Sequence, residues 1–448
     1  MEGMRSRRAR VSVLVAAAVT LGLAAGCSTA AQVPRERFGQ GPHTPVRLAD
    51  APAAEDVVSA TWHLGMEALR ASGSETGTVV SPSSLVTALA MLAEGAQGDE
   101  VDPFDRALGA SGQERTDAVN ALQSALDRFD GDPSIVQAEE LPPFPMVHTA
   151  QRLVIDERAQ PASAFLDRLQ RGFGAGVLIT DLRSPSGIDA LSAWVRENTG
   201  GLVERSAIEP SPDLAAVIQD AVVLAAAWKH PFDQGDTHDA DFTVPGTGNV
   251  QTSTMSATLT VPAVYADGEQ AANSWQAVRL PYSDTLSADL LLPPSCGSVC
   301  QPGETCPDVC DQVAHDPALA DATTVAGLSS RLDDADSTTV RVSLPTLDMT
   351  STTDLAPVLG VLGITERLTG ILADETPVEV SQAVQQAVLR VDEDGTRAAA
   401  VTEIGIRVVS SNMDEAREIA FDRPFLLVVR DNQTGWPLFI ASVIDPRH

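Results

Sequence analysis

Basic residues are scarce in this sequence. Its 448 residues include 30 Lys and Arg against 61 Asp and Glu, which gives a formal net charge of −31. Such a surplus of negative charge repels phosphate groups and argues against nucleic acid or an anionic membrane surface as a partner. The hydrophobic residues, at 44%, nevertheless suffice for a large core. The charge favours solubility, and we expect the protein to act as a monomer.

The sequence also lacks the motifs of common catalytic sites. It contains no Gly-x-Ser-x-Gly, no His-Glu-x-x-His and no phosphate-binding loop. The seven histidines show neither metal-ligand spacing nor an arrangement around a nucleophile. They are His43, His63, His148, His230, His238, His315 and His448. We therefore expect no enzymatic activity of its own, no cofactor and no metal site.

Cysteine is limited to five residues, of which Cys27 stands apart from the rest. Residues 1–26 carry basic residues, then an apolar run, then small residues, which is typical of a signal peptide. The apolar run is too short for a comfortable membrane span. Cleavage before Cys27 resembles the processing of bacterial lipoproteins, although Leu23 lies one position earlier than the usual pattern puts it. This predicts lipidation of Cys27 and anchoring at an outer membrane or cell surface, with simple secretion as the alternative.

Residues 27–50 contain scattered proline and glycine and predict a flexible tether. Any contact with a membrane would then be made only through the lipid.

The other four cysteines lie close together, within residues 295–311. They are Cys296, Cys300, Cys306 and Cys310. An even count in an exported chain favours two disulfides, and nested pairing, Cys296 with Cys310 and Cys300 with Cys306, suits a tight turn. A four-cysteine zinc site is the alternative, but zinc-binding pairs are normally farther apart. We expect a stapled insertion in a surface loop.

The β-prone segment from residue 391 to 411 has an unusual order of side chains. At a spacing of two residues, one face is small or apolar throughout. This face consists of Thr396, Ala398, Ala400, Thr402, Ile404 and Ile406. Small side chains suit a strand that slides between two strands already in place, and Gly395 supplies a backbone pivot ahead of it. An ordinary half-buried strand is the alternative interpretation.

Residues 393–402, Glu-Asp-Gly-Thr-Arg-Ala-Ala-Ala-Val-Thr, resemble the hinge of the reactive-centre loop in serpins. Residues 421–446 resemble the C-terminal hairpin of the same family. The resemblance implies an α+β serpin fold over residues 51–448, with three β-sheets, about eight to nine helices and an exposed reactive-centre loop at residues 393–420. The hinge residues that it implies are Glu393, Gly395, Thr396, Ala398, Ala399, Ala400 and Thr402.

Other serpin-like motifs lie far from the loop in sequence. Ser-Pro-Ser-Ser at residues 81–84 resembles the family's shutter motif and implies shutter roles for Ser81 and Ser84. The strand that ends in Trp228 resembles the one that reaches the breach, where the loop first enters the sheet.

Two positions of the implied shutter depart from the family. Asp220 replaces the usual asparagine, and Gln385 replaces the usual histidine. A glutamine amide can donate a hydrogen bond to an aspartate, so we expect these two side chains to pair. Without that bond, a carboxylate would be left in a largely buried site.

The resemblance implies a suicide-substrate inhibitor of serine proteases. The protease would form an acyl-enzyme on the loop, and the freed strand would enter the central sheet and trap it. The alternative is a non-inhibitory serpin that acts as a binding or carrier protein. Non-inhibitory members often carry charged or bulky residues in the hinge, so the small residues found here favour the inhibitor.

The position of the scissile bond follows from the usual loop length. Sixteen residues beyond Glu393 lies Val409, so the bond implied is Val409–Ser410. A small aliphatic residue at this position suits elastase-like or subtilisin-like proteases. Arg407 would instead direct a trypsin-like enzyme.

Overall fold

The computed structural model describes residues 35–37, 39–212, 214–266, 274–295, 308–364, 367–380, 382–396 and 417–447. Within these ranges the chain forms nine α-helices and sixteen strands. The helices are α1 (Ala54–Ser72), α2 (Pro82–Ala93), α3 (Val101–Leu108), α4 (Gly112–Leu126), α5 (Ser163–Phe173), α6 (Pro185–Asn198), α7 (Asp308–His315), α8 (Ala322–Asp334) and α9 (Ala356–Leu362).

The strands fall into two groups around the middle of the chain. The first eight are β1 (Arg35–Arg37), β2 (Gly77–Val80), β3 (Met146–Asp156), β4 (Gly176–Thr180), β5 (Ala216–Ala227), β6 (His238–Val244), β7 (Gly248–Val264) and β8 (Gln276–Pro281). The remainder are β9 (Leu286–Leu292), β10 (Ser337–Pro345), β11 (Leu347–Asp354), β12 (Val384–Val391), β13 (Gly395–Thr396), β14 (Arg417–Ala420), β15 (Phe425–Asp431) and β16 (Pro437–Val443).

These strands form a seven-stranded sheet, called sheet A, and a nine-stranded sheet, which we divide at β7 into sheets B and C. Sheet A has the order β1-β4-β3-β5-β13-β12-β11. Sheet B runs from the end of β7 through β8, β9, β15 and β16 to β2, and sheet C contains β14, β10, β6 and most of β7. The long strand β7 belongs to both, because its residues 263–264 pair with β8 while its earlier residues pair with β6 and β10. The predicted α+β class is confirmed, and of the three sheets expected, two share strand β7 within one continuous nine-stranded sheet.

The centre of the core is the hairpin of β15 and β16, in which every residue is buried. Its sequences, Phe-Leu-Leu-Val-Val-Arg-Asp and Pro-Leu-Phe-Ile-Ala-Ser-Val, are almost continuously apolar, as expected of strands covered on both faces. Trp436 lies in the turn between the two strands and donates a hydrogen bond from Nε1 to Thr61 Oγ1 at 3.0 Å. This bond ties the end of the chain to α1.

Helix α2 lies between this hairpin and the inner face of sheet A. Its start is defined by Ser81, whose Oγ accepts the Ser84 N–H at 3.4 Å, and by Pro82 at the first helical position. The apolar residues that follow are mostly buried. The helix therefore holds Ser81 and Ser84 against strand β5.

Helix α6 covers the outer face of sheet A. Leu191 of α6 packs in a small apolar cluster with Val154 of β3 and Val217 of β5. Two side chains of the sheet also reach α6: Arg152 donates to the Ala190 carbonyl at 3.0 Å, and Gln219 donates to the Leu191 carbonyl at 3.2 Å. The residues that follow α6 therefore begin on the outer face of sheet A.

Residues 35–37 and 39–50 pack on the body, although the sequence predicted a flexible tether that includes them, over residues 27–50. Strand β1 pairs with the edge strand β4. Asn120 of α4 accepts the Val46 N–H at 2.7 Å and donates to the Thr44 carbonyl at 3.1 Å. An unpaired strand edge and a buried amide thus provide partners that composition alone does not reveal. Residues 34–448 group into one compact unit.

Candidate functional site

The chain turns sharply where β12 meets the hinge. The Asp392 side chain accepts the N–H groups of Asp394 and Gly395, both at 3.0 Å, and its own N–H donates to the Gly395 carbonyl at 3.0 Å. Beyond this turn, β13 lies between β5 and β12. A Cβ atom at Gly395 would lie 2.2 Å from the Ala226 carbonyl oxygen, so only glycine allows the two backbones to come this close.

An aromatic pair holds the two residues of β13 in place. The rings of Trp228 and Tyr282 stack at 4.6 Å, with an interplanar angle of 10°. Trp228 Nε1 donates to the Asp392 carbonyl at 2.9 Å, and the Tyr282 hydroxyl bonds Thr396 Oγ1 at 2.5 Å. Burial raises the pKa of Tyr282 above its usual value, so the phenol stays neutral. Thr396 itself is only 2% exposed.

Glu393 anchors the outside of the same turn. Its carboxylate accepts the Thr237 hydroxyl at 2.6 Å, and its carbonyl accepts the Phe232 N–H at 2.9 Å. The Trp228 N–H donates to the Asp394 carbonyl at 2.8 Å. The structure therefore brings together four residues that the sequence placed in the hinge or breach, namely Glu393, Gly395, Thr396 and Trp228.

Below Thr396, sheet A is open. In the part of the chain that the structure describes, β5 pairs with β3 and β13, and β12 pairs with β11 and β13, but β5 and β12 do not pair with each other. A cavity of about 220 Å³ lies between them. Helix α2 lines it from the inside and residues 203–208 from the outside. We call this space the slot.

On the inner side of the slot, Gln385 of β12 hydrogen-bonds to the start of α2. Its Oε1 accepts the Ser81 N–H and its Nε2 donates to the Ser81 carbonyl, each at 2.8 Å. Both functional groups of the amide are therefore engaged by one backbone residue. These two hydrogen bonds join a strand to the start of a helix, between positions that lie 304 residues apart in the sequence.

Asp220 of β5 lies on the same inner face without its expected partner. Both of its carboxylate oxygens are buried, and the Ser84 and Gln151 side chains, which neighbour them and favour the charged form, do not complete a hydrogen bond of ordinary geometry. Desolvation raises the pKa of Asp220 to about 7, an effect that the nearby Ser84 and Gln151 side chains only partly offset. The expected bond to Gln385 is not formed, because the glutamine uses its amide on Ser81 instead.

Two further glutamines, Gln382 and Gln386, hold the residues that cover the slot on its outer side. Gln386 Oε1 accepts the Ala207 N–H at 2.9 Å. Gln382 accepts the Glu209 N–H and donates to the Glu209 carbonyl, both at 2.9 Å. Residues 203–209, which leave α6, are thus fastened across the slot to the β12 side. The sequence did not predict these contacts or the bond from the Tyr282 hydroxyl to Thr396. The signals available in the sequence were the closely spaced glutamines at residues 382, 385 and 386, and the Leu-Pro-Tyr motif at residues 280–282.

Several predicted positions lie outside the described residues. They are Ala398, Ala399, Ala400, Thr402, Val409 and Ser410 of the loop, together with Cys27, Cys296, Cys300 and Cys306. Cys310 lies in α7, but its side chain is not described. Of the predicted loop at residues 393–420, the first four residues form the turn and β13, and the last four form β14, which pairs with β10 at the edge of sheet C.

None of the described His, Cys, Asp and Glu side chains form a group of three or more that could hold a metal ion. No described helix has both the length and the apolar character needed to cross a membrane.

The sequence and the structure were compared with known proteins. Residues 61–446 match the family model described as Serpin (serine protease inhibitor). Alpha-1-antiproteinase 2 of Equus caballus is 27% identical over 380 residues, which cover 83% of this chain and 82% of the relative.

Solved structures agree on the fold. Tengpin, a thermophilic serpin in its native state, has a TM-score of 0.69 and 20% identity, covering 91% of this chain and 97% of its own. A complex of thyroxine-binding globulin with thyroxine has a TM-score of 0.66 and 20% identity, covering 87% and 99%. The predicted serpin fold is confirmed. Because the family match spans most of the chain, the protein belongs to the serpin family of serine protease inhibitors.

Proposed function

We propose that this protein inhibits serine proteases as a suicide substrate, by loop cleavage followed by strand insertion. One observation carries the proposal: the hinge already enters sheet A at Thr396, directly above an open slot between β5 and β12. A segment that continues from Thr396 would meet edges of β5 and β12 that pair with no other strand there among the described residues. Addition of a strand there satisfies both edges at once.

The side chains that follow Thr396 suit that slot. Thr396 faces the core and lies opposite Ala226 on β5 and Val391 on β12. By alternation, Ala398, Ala400 and Thr402 would follow it on the inner face. All are small enough to pass over α2 without displacing it.

The covalent chemistry belongs to the protease. Its serine oxygen attacks the Val409 carbonyl carbon, the bond from that carbon to the Ser410 nitrogen breaks, and the leaving amine takes a proton. An ester then joins the protease to Val409. Water would hydrolyse this ester and release the enzyme, so the inhibitor succeeds only when insertion is faster than hydrolysis.

We expect elastase-like and subtilisin-like proteases to form a complex that survives denaturing gels, with release of a C-terminal peptide that begins at Ser410. Val409→Arg should shift the preference to trypsin. The rate of complex formation with trypsin, relative to that with elastase, should rise by at least about 100-fold, since protease specificity depends strongly on this one side chain. Peptide masses and complex bands measure both effects. Clean cleavage without any complex would contradict inhibition and leave a binding or carrier protein. A peptide beginning after Arg407 would move the scissile bond and leave the mechanism intact.

The processing and location of the chain form a separate part of this proposal. A signal peptide over residues 1–26 and lipidation of Cys27 would place the protein at a membrane surface through its N-terminus. The nested disulfides would staple the insertion at residues 295–311. We expect wild-type protein from bacterial cells to partition into detergent and Cys27→Ser to stay in the aqueous phase. Equal partitioning of both would indicate simple secretion.

A further inference from the structure

The segment between α4 and β3 has no role in the mechanism described so far. Residues 133–137 form a short 3-10 helix there, and Val136 within it is fully buried. Val136 belongs to an apolar cluster apart from the main core, at the end of β5 that adjoins the hinge. Val223 and Ala225 of this cluster alternate along β5 with Leu224 of the main core, so the cluster lies on the outer face of sheet A. Its members, which we call the outer cluster, are Ile135, Val136, Leu141, Met146, Leu202, Val223 and Ala225.

Leu141 connects the outer cluster to the hinge. A Cβ atom at Gly395 would lie 2.8 Å from Leu141 Cδ1, so the leucine packs directly on the glycine backbone. Thr396, the next residue, is buried on the opposite face, where it bonds the Tyr282 hydroxyl. The two residues of β13 are therefore held from both faces of sheet A, by Tyr282 on the inner face and by Leu141 on the outer face.

The backbone around Leu141 is restricted by proline. Pro142 follows directly and is buried, and a residue before proline is confined to extended backbone. Pro143 and Pro145 fix two further φ angles before β3 begins. Leu141 therefore needs little further ordering to pack on Gly395.

The rest of the segment is fastened to the sheet independently of Leu141. A Cβ atom at Gly200, at the end of α6, would lie 2.0 Å from the Pro133 carbonyl oxygen, so the two backbones are in close contact. The Asp130 carboxylate bonds His148 Nδ1 of β3 at 2.8 Å. Replacement of Leu141 alone should therefore leave the segment in place.

We propose that Leu141 is a positioning residue for loop insertion, which acts through Gly395 and keeps the hinge between β5 and β12. This inference rests on the proposed inhibitory function. A strand that extends from Thr396 lengthens two ladders whose first pairs already exist. Residues that leave the sheet must be ordered again before they can pair, which costs conformational entropy. A hinge that is not held would therefore delay insertion while hydrolysis of the ester continues.

The test compares full-length Leu141→Ala with Ile135→Ala, which removes an isomeric side chain from the same segment and the same cluster. Leu141→Ala should lower the ratio of trapped to hydrolysed complex about fivefold, which corresponds to about 1 kcal/mol. Ile135→Ala should keep this ratio within about twofold of wild type, because it leaves the contact with Gly395 intact. Both variants should lower the native Tm by a similar amount, since each removes partly buried apolar atoms.

Hydrogen exchange tests the contact without any protease. In Leu141→Ala, the amide protons of residues 391–396 should exchange about fivefold faster than in wild type, because the hinge leaves the sheet more often. Ile135→Ala should leave exchange in this peptide unchanged. Leu141→Met keeps the volume and the reach of the side chain, so it should restore both wild-type exchange and the wild-type trapping ratio.

Equal effects of Leu141→Ala and Ile135→Ala on the trapping ratio would indicate a general loss of stability and overturn this inference. Unchanged exchange at residues 391–396 in Leu141→Ala would overturn it as well, whether or not complexes form. Absence of complexes for the wild-type protein would contradict the inhibitory function instead, and the exchange comparison would still decide whether Leu141 holds the hinge.

Discussion

Thr396→Arg is expected to convert the inhibitor into an ordinary substrate, which the protease cleaves without becoming trapped. The Thr396 side chain is 2% exposed and bonds the Tyr282 hydroxyl. An arginine there would place a charge in a buried position between β5 and β12, which costs several kcal/mol. A penalty of about 3 kcal/mol on insertion lowers the ratio of trapping to hydrolysis by roughly 100-fold. Titration of a fixed amount of protease measures this ratio.

Thr396→Ser is the matched control for this substitution. It keeps the hydroxyl that faces Tyr282 and adds no bulk, so trapping should stay within about twofold of wild type. Trapping by Thr396→Arg at the wild-type ratio would show that residue 396 need not lie in the sheet during inhibition.

The second large effect concerns the stability of the cleaved protein. Residues 397–406 would bond β5 on one side and β12 on the other, and roughly ten new backbone bonds at about 1 kcal/mol each give about 10 kcal/mol. For a chain of 448 residues this corresponds to a rise in Tm of roughly 10 °C, before apolar burial is added. Melting curves recorded before and after cleavage within the loop measure the rise.

Cleaved Thr396→Arg provides the comparison, since its strand should stay outside the sheet and its Tm should not rise. An unchanged Tm for the cleaved wild-type protein would mean that the slot does not accept the strand. The slot between β5 and β12 would then have to serve another purpose, such as ligand binding.

The sequence was sufficient to predict the features that depend on local order. The alternation of small residues after Gly395 predicted which face of the hinge is buried, and Thr396 is indeed buried. The motif around Ser81 has a local basis as well, because a serine followed by proline favours a helix start, and α2 begins there beside the central sheet. The family and fold followed from several such motifs in a fixed order along the chain.

Partner choice among polar side chains was decided by the tertiary structure. The sequence suggested that Gln385 would pair with Asp220, but the Ser81 backbone offers a donor and an acceptor together, and the amide satisfies both there. Asp220 is left without this partner as a result. Such choices depend on distances between strands and helices that are hundreds of residues apart, and no local pattern encodes them.

The open slot between β5 and β12 is also decided by the tertiary structure. The sequence by itself was enough to predict that residues 396–402 would fit into a sheet, because this depends on side-chain size and alternation within one segment. Only the tertiary structure shows that β5 and β12 stand apart below Thr396, and that Gln382 and Gln386 hold residues 203–209 across the opening. Strand separation reflects a balance of many contacts from distant parts of the chain, so it is a property of the whole fold.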